Sequence, residues 1–270
     1  MLELFHYTFF TNALIAILLT SISCGIIGSY IVARRMVFIG GGITHASFGG
    51  IGIAYFLGLA PMLGAGVFAV LSALGIYYFT HKGKVREDSS IAIWWSLGMA
   101  IGIIFIALKP GYAPNLMSFL FGSILTVINA DIYYMLAVTV ISVGIFVVFY
   151  RVIMMISFDE QFARARNVPV DLFNYLLIVL SALVIVASTR ISGVILVLSL
   201  LTLPQATANI FAQSFKSIII GSIIIGFVGM VSGLYLAYYT NLPSGATIII
   251  TLTAIFGLGQ LVKAIVRNKN

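Results

Sequence analysis

Apolar runs of more than about 18 residues recur from one end of this chain to the other, and they limit its fold more than any other feature. Each run is long enough to cross a hydrocarbon layer roughly 30 Å thick. Inside lipid, backbone polar groups must find their partners within the protein, so such runs form helices. The short alternating segments of a membrane barrel do not occur in the sequence. The sequence therefore predicts an all-α integral membrane protein, a polytopic bundle of helices.

Charge supports the same conclusion. Only 8% of the residues are charged, whereas a soluble domain carries about 25%. The net charge is +7, but the basic residues lie between the apolar runs, where they set topology and meet anionic lipid head groups. The sequence contains no nucleic-acid-binding motif, so we expect membrane lipid and no nucleic acid as a partner. Cys24, the single cysteine, lies inside an apolar run and is interpreted as a small packing residue.

Nine spans are expected within one membrane domain, residues 1–270. They are placed at residues 9–33, 38–60, 62–80, 89–108, 130–150, 172–189, 191–211, 216–239 and 245–265. The spans at 38–60 and 191–211 have the weakest signals, so eight spans is the alternative. The apolar stretch 115–127 is too short to cross alone and is predicted to form an interfacial or re-entrant helix on the outer side.

The basic residues also predict the orientation. If the N-terminus is outside and the C-terminus is cytoplasmic, all of the 14 Lys and Arg residues except Lys109 and Arg190 lie on the inner side. The inverted arrangement would violate the positive-inside rule. The first apolar run is too long for the core of a signal peptide and is interpreted as a true span.

Two classes of transport chemistry lack their usual residues. All seven acidic residues map to loops or span ends, whereas an ion-coupled transporter usually needs a carboxylate within the membrane. This argues against secondary transport without excluding it, because carbonyls and hydroxyls also bind sodium. No Walker A pattern occurs, since Gly83 and Lys84 are followed by Val85 and lack the earlier glycine. ATP-driven transport would therefore need a separate ATPase subunit.

The longest polar interruption, residues 157–169, predicts a short amphipathic helix in a cytoplasmic loop. Ser157 or Asp159 is suited to cap its N-terminus, and Pro169 is predicted to end it. Glu160 in the first turn and Arg164 near the last turn suit the helix dipole. The pattern alone leaves two interpretations open: a connector on the lipid interface, or a docking element for a cytoplasmic partner.

His45 is the one histidine that the predicted spans place inside the membrane, in the glycine-rich segment 38–50. A lone buried histidine is more often structural than functional, yet a neutral imidazole is also the commonest metal ligand. One histidine cannot form a site, whereas two could if two copies of the chain met near His45.

The chain resembles the permeases of the zinc/manganese/iron class of bacterial ABC importers. The segment Arg34-Arg-Met-Val-Phe-Ile-Gly-Gly-Gly-Ile-Thr-His45 is similar to the family's Arg-Arg-Met-x-Phe-Ile-Gly-Asp-Ala-Ile-Ser-His. Five further blocks follow in the family's order: residues 87–93 with 96–100, 115–126, 158–165, 203–208 and 242–247. Six blocks in this order form a specific signal.

The resemblance implies a homodimeric permease in the bacterial plasma membrane. Its partners would be cytoplasmic ABC ATPase subunits and an extracellular or periplasmic metal-binding protein. It implies a transported divalent cation and no permanently bound cofactor. The implied ATPase-coupling helix contains Phe158, Asp159, Glu160, Phe162, Ala163 and Arg164.

The resemblance also implies that His45 contacts the metal, but the chain departs from the family pattern beside it. The family's acidic residue, four positions before the histidine, is Gly41 here. Assistance from Thr44, Ser47 or Gln205 is expected instead. Since the carboxylate is missing, a different metal or a non-metal solute stays open, as do a self-sufficient secondary transporter and a membrane scaffold or sensor without transport.

Overall fold

The computed structural model describes residues 8–109 and 124–267, and these ranges are helical without any strand. The helices are α1 (Thr8–Ala33), α2 (Val37–Leu57), α3 (Pro61–His81), α4 (Glu87–Leu108), α5 (Asn129–Val148), α6 (Tyr150–Phe158), α7 (Glu160–Ala165), α8 (Val170–Ser192), α9 (Val194–Leu200), α10 (Leu203–Phe211), α11 (Phe215–Thr240) and α12 (Ser244–Arg267). Within the described ranges, nine segments are long and apolar enough to span a membrane, with α9 and α10 together forming one of them. The polytopic helical fold and its nine spans are thus confirmed, and the alternative of eight is not.

The predicted span 191–211 is a broken helix rather than a continuous one. Gly193 has a φ of +79°, α9 ends at Leu200, and α10 begins at Leu203 after Thr202 adopts non-helical angles. Pro204 sits in the first turn of α10, where its missing N–H costs nothing. The apolar pattern predicted the span, but it could not reveal the break, because the segments on both sides of it are apolar.

The predicted span 130–150 also differs at its end. Helix α5 stops at Val148, and after Phe149 the chain continues as α6 to Phe158. The helical path therefore reaches much closer to the predicted cytoplasmic helix than the hydropathy pattern indicated. Most of the predicted outer helix 115–127 lies outside the described residues, but Ile124–Thr126 form one turn of 3-10 helix, and Ile124 is buried in the core.

Helix α2 makes the closest contacts in the bundle. A Cβ added to Gly50 would lie 1.9 Å from the carbonyl oxygen of Gly64 in α3, and one added to Gly98 in α4 would lie 2.4 Å from that of Ala46 in α2. Backbone therefore meets backbone on both sides of α2, as small residues permit in membrane helices. Gly102, one turn further along α4, approaches Phe48 of α2 in the same way.

Polar side chains at the two ends of the bundle form separate groups. Arg190 and Asp131 pair at 3.2 Å, and Asn12 donates a hydrogen bond to Asn129 at 3.1 Å, all at the end that the charge pattern predicts to be outer. Several of the predicted inner charges pair with one another at the opposite ends of α1 and α8. The relative sidedness of the loops is thus consistent with the predicted topology, and the absolute orientation in the cell stays a prediction.

The contact between α2 and α3 predicts different effects for two glycines of one helix. The Cβ of a Gly64→Ala variant would lie 2.1 Å from the Gly50 carbonyl oxygen, whereas at Gly66 nothing lies within 4 Å. We expect Gly64→Ala to destabilise the protein by about 1–3 kcal/mol, the usual cost of overpacking. Gly66→Ala, the matched control, should be neutral or stabilising. Thermal unfolding of the detergent-solubilised protein measures both, and equal shifts for the two variants would contradict the packing.

Candidate functional site

The predicted cytoplasmic helix is present as α7, and Asp159 caps it. The Asp159 carboxylate accepts a hydrogen bond from the Phe162 backbone N–H at 2.8 Å. Ser157, the other predicted cap, instead donates to the Ile153 carbonyl within α6. The helix ends at Ala165, and Asn167 then takes a left-handed φ of +58°. The predicted role of Pro169 as the terminator is therefore wrong, because this proline precedes the first turn of α8.

One face of α7 is anchored and the other is open. Ala163 is completely buried in a small cluster with Ile156, Val170 and Phe173, which ties α7 to α6 and α8. Phe162, by contrast, is 49% exposed. Phe158, at the end of α6, is 64% exposed and packs edge-to-face against Phe215 with ring centroids 5.6 Å apart. Two exposed aromatic rings therefore mark the free side of this segment.

The charged residues of α7 are committed to partners inside the chain. One carboxylate oxygen of Glu160 accepts from Arg34, which follows α1, at 2.9 Å. The other accepts from Arg164 at 2.9 Å, and Arg164 also reaches Asp171 at 2.5 Å. Arg34 further donates to the Ile156 carbonyl at 3.0 Å. These contacts join α7 to α1, α6 and α8.

The ion pairs favour the charged forms of Glu160 and Arg164. Partial burial alone would raise the pKa of Glu160, but hydrogen bonds from Arg164 and Arg34 outweigh it and hold that pKa below its ordinary value. Hydrogen bonds to Asp171 and then to Glu160 raise the pKa of the Arg164 guanidinium. Both groups are therefore charged at neutral pH, and the ion pairs persist there.

His45 lies in α2 against α4. Its ring stacks on Trp95, with centroids 4.2 Å apart and planes 6° from parallel. His45 is half-buried while its neighbours Thr44 and Ala46 are buried, and Trp95 is 39% exposed. The imidazole thus lies at the edge of the α2–α4 contact, held flat by an aromatic surface and still accessible.

Thr44 and Ser47, which are expected to assist His45, form their hydrogen bonds within α2 itself. Thr44 donates its hydroxyl proton to the Gly40 carbonyl at 2.6 Å, and Ser47 donates to that of Thr44 at 2.6 Å. Both side chains are 1% exposed. Each hydroxyl oxygen can still accept a hydrogen bond, but it is buried and not in contact with open solvent.

Gly41 lies close to Leu198, so an acidic side chain at this position would require Leu198 to shift. A Cβ added there would lie 3.0 Å from Leu198 and 3.9 Å from Trp95. Position 41 therefore shares Trp95 with His45, as expected for positions four apart on one helix. Here an aromatic ring and an aliphatic side chain occupy the surroundings in which the family pattern has a carboxylate.

Gln205 is fully buried at the broken helix. Its amide nitrogen donates to the Cys24 carbonyl in α1 at 2.8 Å and to the Leu200 carbonyl at 3.1 Å, bridging the gap between α9 and α10. Its side-chain oxygen is without a partner among the described residues. The described contacts of Gln205 join it to α1 and not to His45, so the structure does not unite the two in one ligand set.

No group of three or more His, Cys, Asp or Glu side chains in residues 8–109 and 124–267 is arranged to hold a metal ion. Around His45, the described residues therefore offer a cation one imidazole and the buried hydroxyls of Thr44 and Ser47. No sequence pattern predicts Trp95 or Arg34 as part of these sites. The two tryptophans of the chain are adjacent, a signal that was available for Trp95, whereas Arg34 and Glu160 are 126 residues apart and share no local pattern.

Comparison with known proteins places these features in context. A family model described as the ABC 3 transport family matches residues 6–263. An uncharacterised membrane protein of Synechocystis sp. is 40% identical over 250 residues, which are 93% of this chain and 89% of that protein. A manganese transport system membrane protein of Halalkalibacterium halodurans is 33% identical over 256 residues, 95% of this chain and 88% of that protein. A chain of the solved PsaBC complex with Fab, from Streptococcus pneumoniae, has a TM-score of 0.86 at 33% identity and covers 98% of this chain and 96% of its own length.

The cap of α7 predicts a difference between two substitutions of one residue. Asp159→Ala removes the acceptor for the Phe162 N–H and should cost the helix about 1 kcal/mol. Asp159→Asn removes the charge but keeps an acceptor, so it should be nearly neutral. Hydrogen exchange of the amides in residues 159–166 is the measurement. Faster exchange in both variants to the same extent would mean that the charge, and not the cap, orders this segment.

Proposed function

Because the chain belongs to the ABC 3 transport family, we propose that it is the permease of an ATP-driven importer for a divalent transition metal cation, with manganese as the first candidate. Membership confirms the family resemblance predicted from the sequence. It also confirms that the chain is the membrane subunit of a transporter and not an enzyme, with ATP hydrolysis in a separate subunit. The family match over residues 6–263 is the observation that carries the proposal.

Manganese is preferred over zinc and iron because the Halalkalibacterium halodurans relative is named as a manganese transport system membrane protein. The geometry around His45 is compatible with this choice. Oxygen ligands suit Mn²⁺, and the described surroundings of His45 contain no thiolate, which would favour softer metals; the imidazole suits zinc and iron as well, so the preference for manganese comes from the relative. A site without a carboxylate binds the cation weakly, and weak binding lets an ion leave as readily as it enters.

A second copy of the chain is part of the proposal. One His45 per chain cannot coordinate a cation by itself, whereas a homodimer with α2 and α4 near its axis would present two. The open edge of the α2–α4 contact, with His45 and Trp95, is the surface that would face this axis. Thr44, Ser47 and Gln205 remain proposed contributors of oxygen along the pathway.

The proposed contact with the ATPase is the free side of α7. Phe158 and Phe162 are exposed there, and aromatic residues are enriched at the energetic centres of protein interfaces. Asp159 and Glu160 are also predicted for docking, but Asp159 caps α7 and Glu160 pairs with Arg34. Their contribution to docking would therefore be to stabilise and position α7. We place this end in the cytoplasm and the N-terminus outside, where a metal-binding protein would deliver the cation.

The role of His45 has a direct test with a matched control. His45→Ala should lower the uptake of radioactive Mn²⁺ by at least about tenfold, as loss of groups that support metal sites commonly does. His81→Ala is the control, because His81 lies at the end of α3 and its ring stacks on Tyr77 instead. Uptake is measured at several Mn²⁺ concentrations in cells that depend on this transporter, with protein levels checked. Normal uptake by His45→Ala would return His45 to a structural role in packing against Trp95.

A further inference from the structure

Arg34 connects the segment around α7 to the largely buried helix α1. Its guanidinium donates to the Ile156 carbonyl in the last turn of α6 and to Glu160 in the first turn of α7. The side chains of Arg34 and Glu160 are only 17% and 24% exposed. One residue at the end of α1 thus holds both helices that lead into and form the proposed ATPase contact.

A second ion pair joins α7 to α8, and it differs in its exposure. Arg164 and Asp171 lie 2.5 Å apart, but their side chains are 47% and 66% exposed. Exposed pairs are weakened by solvent and salt, whereas half-buried pairs are screened much less. The attachment of α7 to α1 is therefore the firmer of its two charged attachments.

We propose that the Arg34–Glu160 ion pair is the joint that transmits movement of α7 to α1, with both residues acting as positioning residues for coupling. This rests on the proposed function, because it takes α7 as the segment that the ATPase moves. Helix α1 carries the movement inward, since it packs against α11 near Gly25 and holds Gln205 of the broken helix through the Cys24 carbonyl. A displacement of α7 would be transmitted to the broken helix by this route, whereas the more exposed Arg164–Asp171 pair would break.

The nearest alternative is that the pair only stabilises the fold. The two roles differ in what fails when the pair is broken. A purely structural pair would lower stability or assembly with the ATPase, and transport by each assembled complex would stay normal. A transmitting pair would leave assembly and ATP hydrolysis in place and lower the number of cations moved per ATP hydrolysed.

The test uses the complete complex of the permease with its ATPase, reconstituted in proteoliposomes with Mn²⁺ as the probe. The variants are Arg34→Gln, Glu160→Gln and the double variant, and the matched controls are Arg35→Gln, the exposed neighbour with the same charge, and Asp171→Asn. We expect Mn²⁺ uptake per ATP hydrolysed to fall at least about fivefold in either single variant, the lower end of the usual range for coupling between sites. The double variant should lose about as much as the more affected single variant, rather than the sum of the two losses, because both single variants break the same Arg34–Glu160 ion pair.

The outcomes separate this inference from the proposed function. Normal uptake per ATP in Arg34→Gln and Glu160→Gln contradicts transmission through this ion pair and leaves the permease assignment intact. Loss of ATPase binding by these variants also overturns it, because the pair would then serve assembly. An equal loss in the two controls would show a general effect of removing charge and overturn it as well. If the unaltered chain binds no ATPase, the proposed function itself fails.

Discussion

Helix α2 lies so close to α3 and α4 that backbone touches backbone, and this contact sets the position of the proposed permeation site. Gly50 faces Gly64 on one side, and Ala46 faces Gly98 on the other. Because α2 has only glycine or alanine at these points, its backbone lies against its neighbours, and rotation of the helix would lose these contacts. The contacts therefore fix the orientation of His45. The imidazole emerges at the edge of the α2–α4 contact, where Trp95 supports it.

The positions of the charged residues in the bundle follow from the membrane environment. Ionisable groups are costly in lipid, so they gather at the helix ends and pair there. At one end Arg190 meets Asp131, and at the other Arg34 and Arg164 share Glu160. The second group of ion pairs attaches α7 to α1 and α8. This short helix is therefore held at a defined position relative to both, although it lies in a loop. A permease that responds to a separate ATPase needs such a defined point of contact.

The sequence predicted the helical class, the nine spans and α7 because each depends on local composition. Long apolar runs identify spans, and an Asp three residues before an available N–H identifies a cap. It missed the break between Leu200 and Leu203, since both sides are apolar and only the position of Pro204 hinted at it. It treated Arg34 as a topological charge, because its partner Glu160 is brought near only by the folded bundle. The stacking of His45 on Trp95 likewise joins two helices, and no spacing within either one reveals it.

Transport by the purified chain with and without its ATPase tests the central claim most directly. In proteoliposomes loaded with ATP on the cytoplasmic side, Mn²⁺ uptake should require both the ATPase subunit and hydrolysable ATP. Proton or sodium gradients across membranes that contain this chain alone should drive no uptake, since the described spans hold no carboxylate within their apolar interiors. Gradient-driven Mn²⁺ uptake by the chain alone, without ATP or a second subunit, would contradict the account.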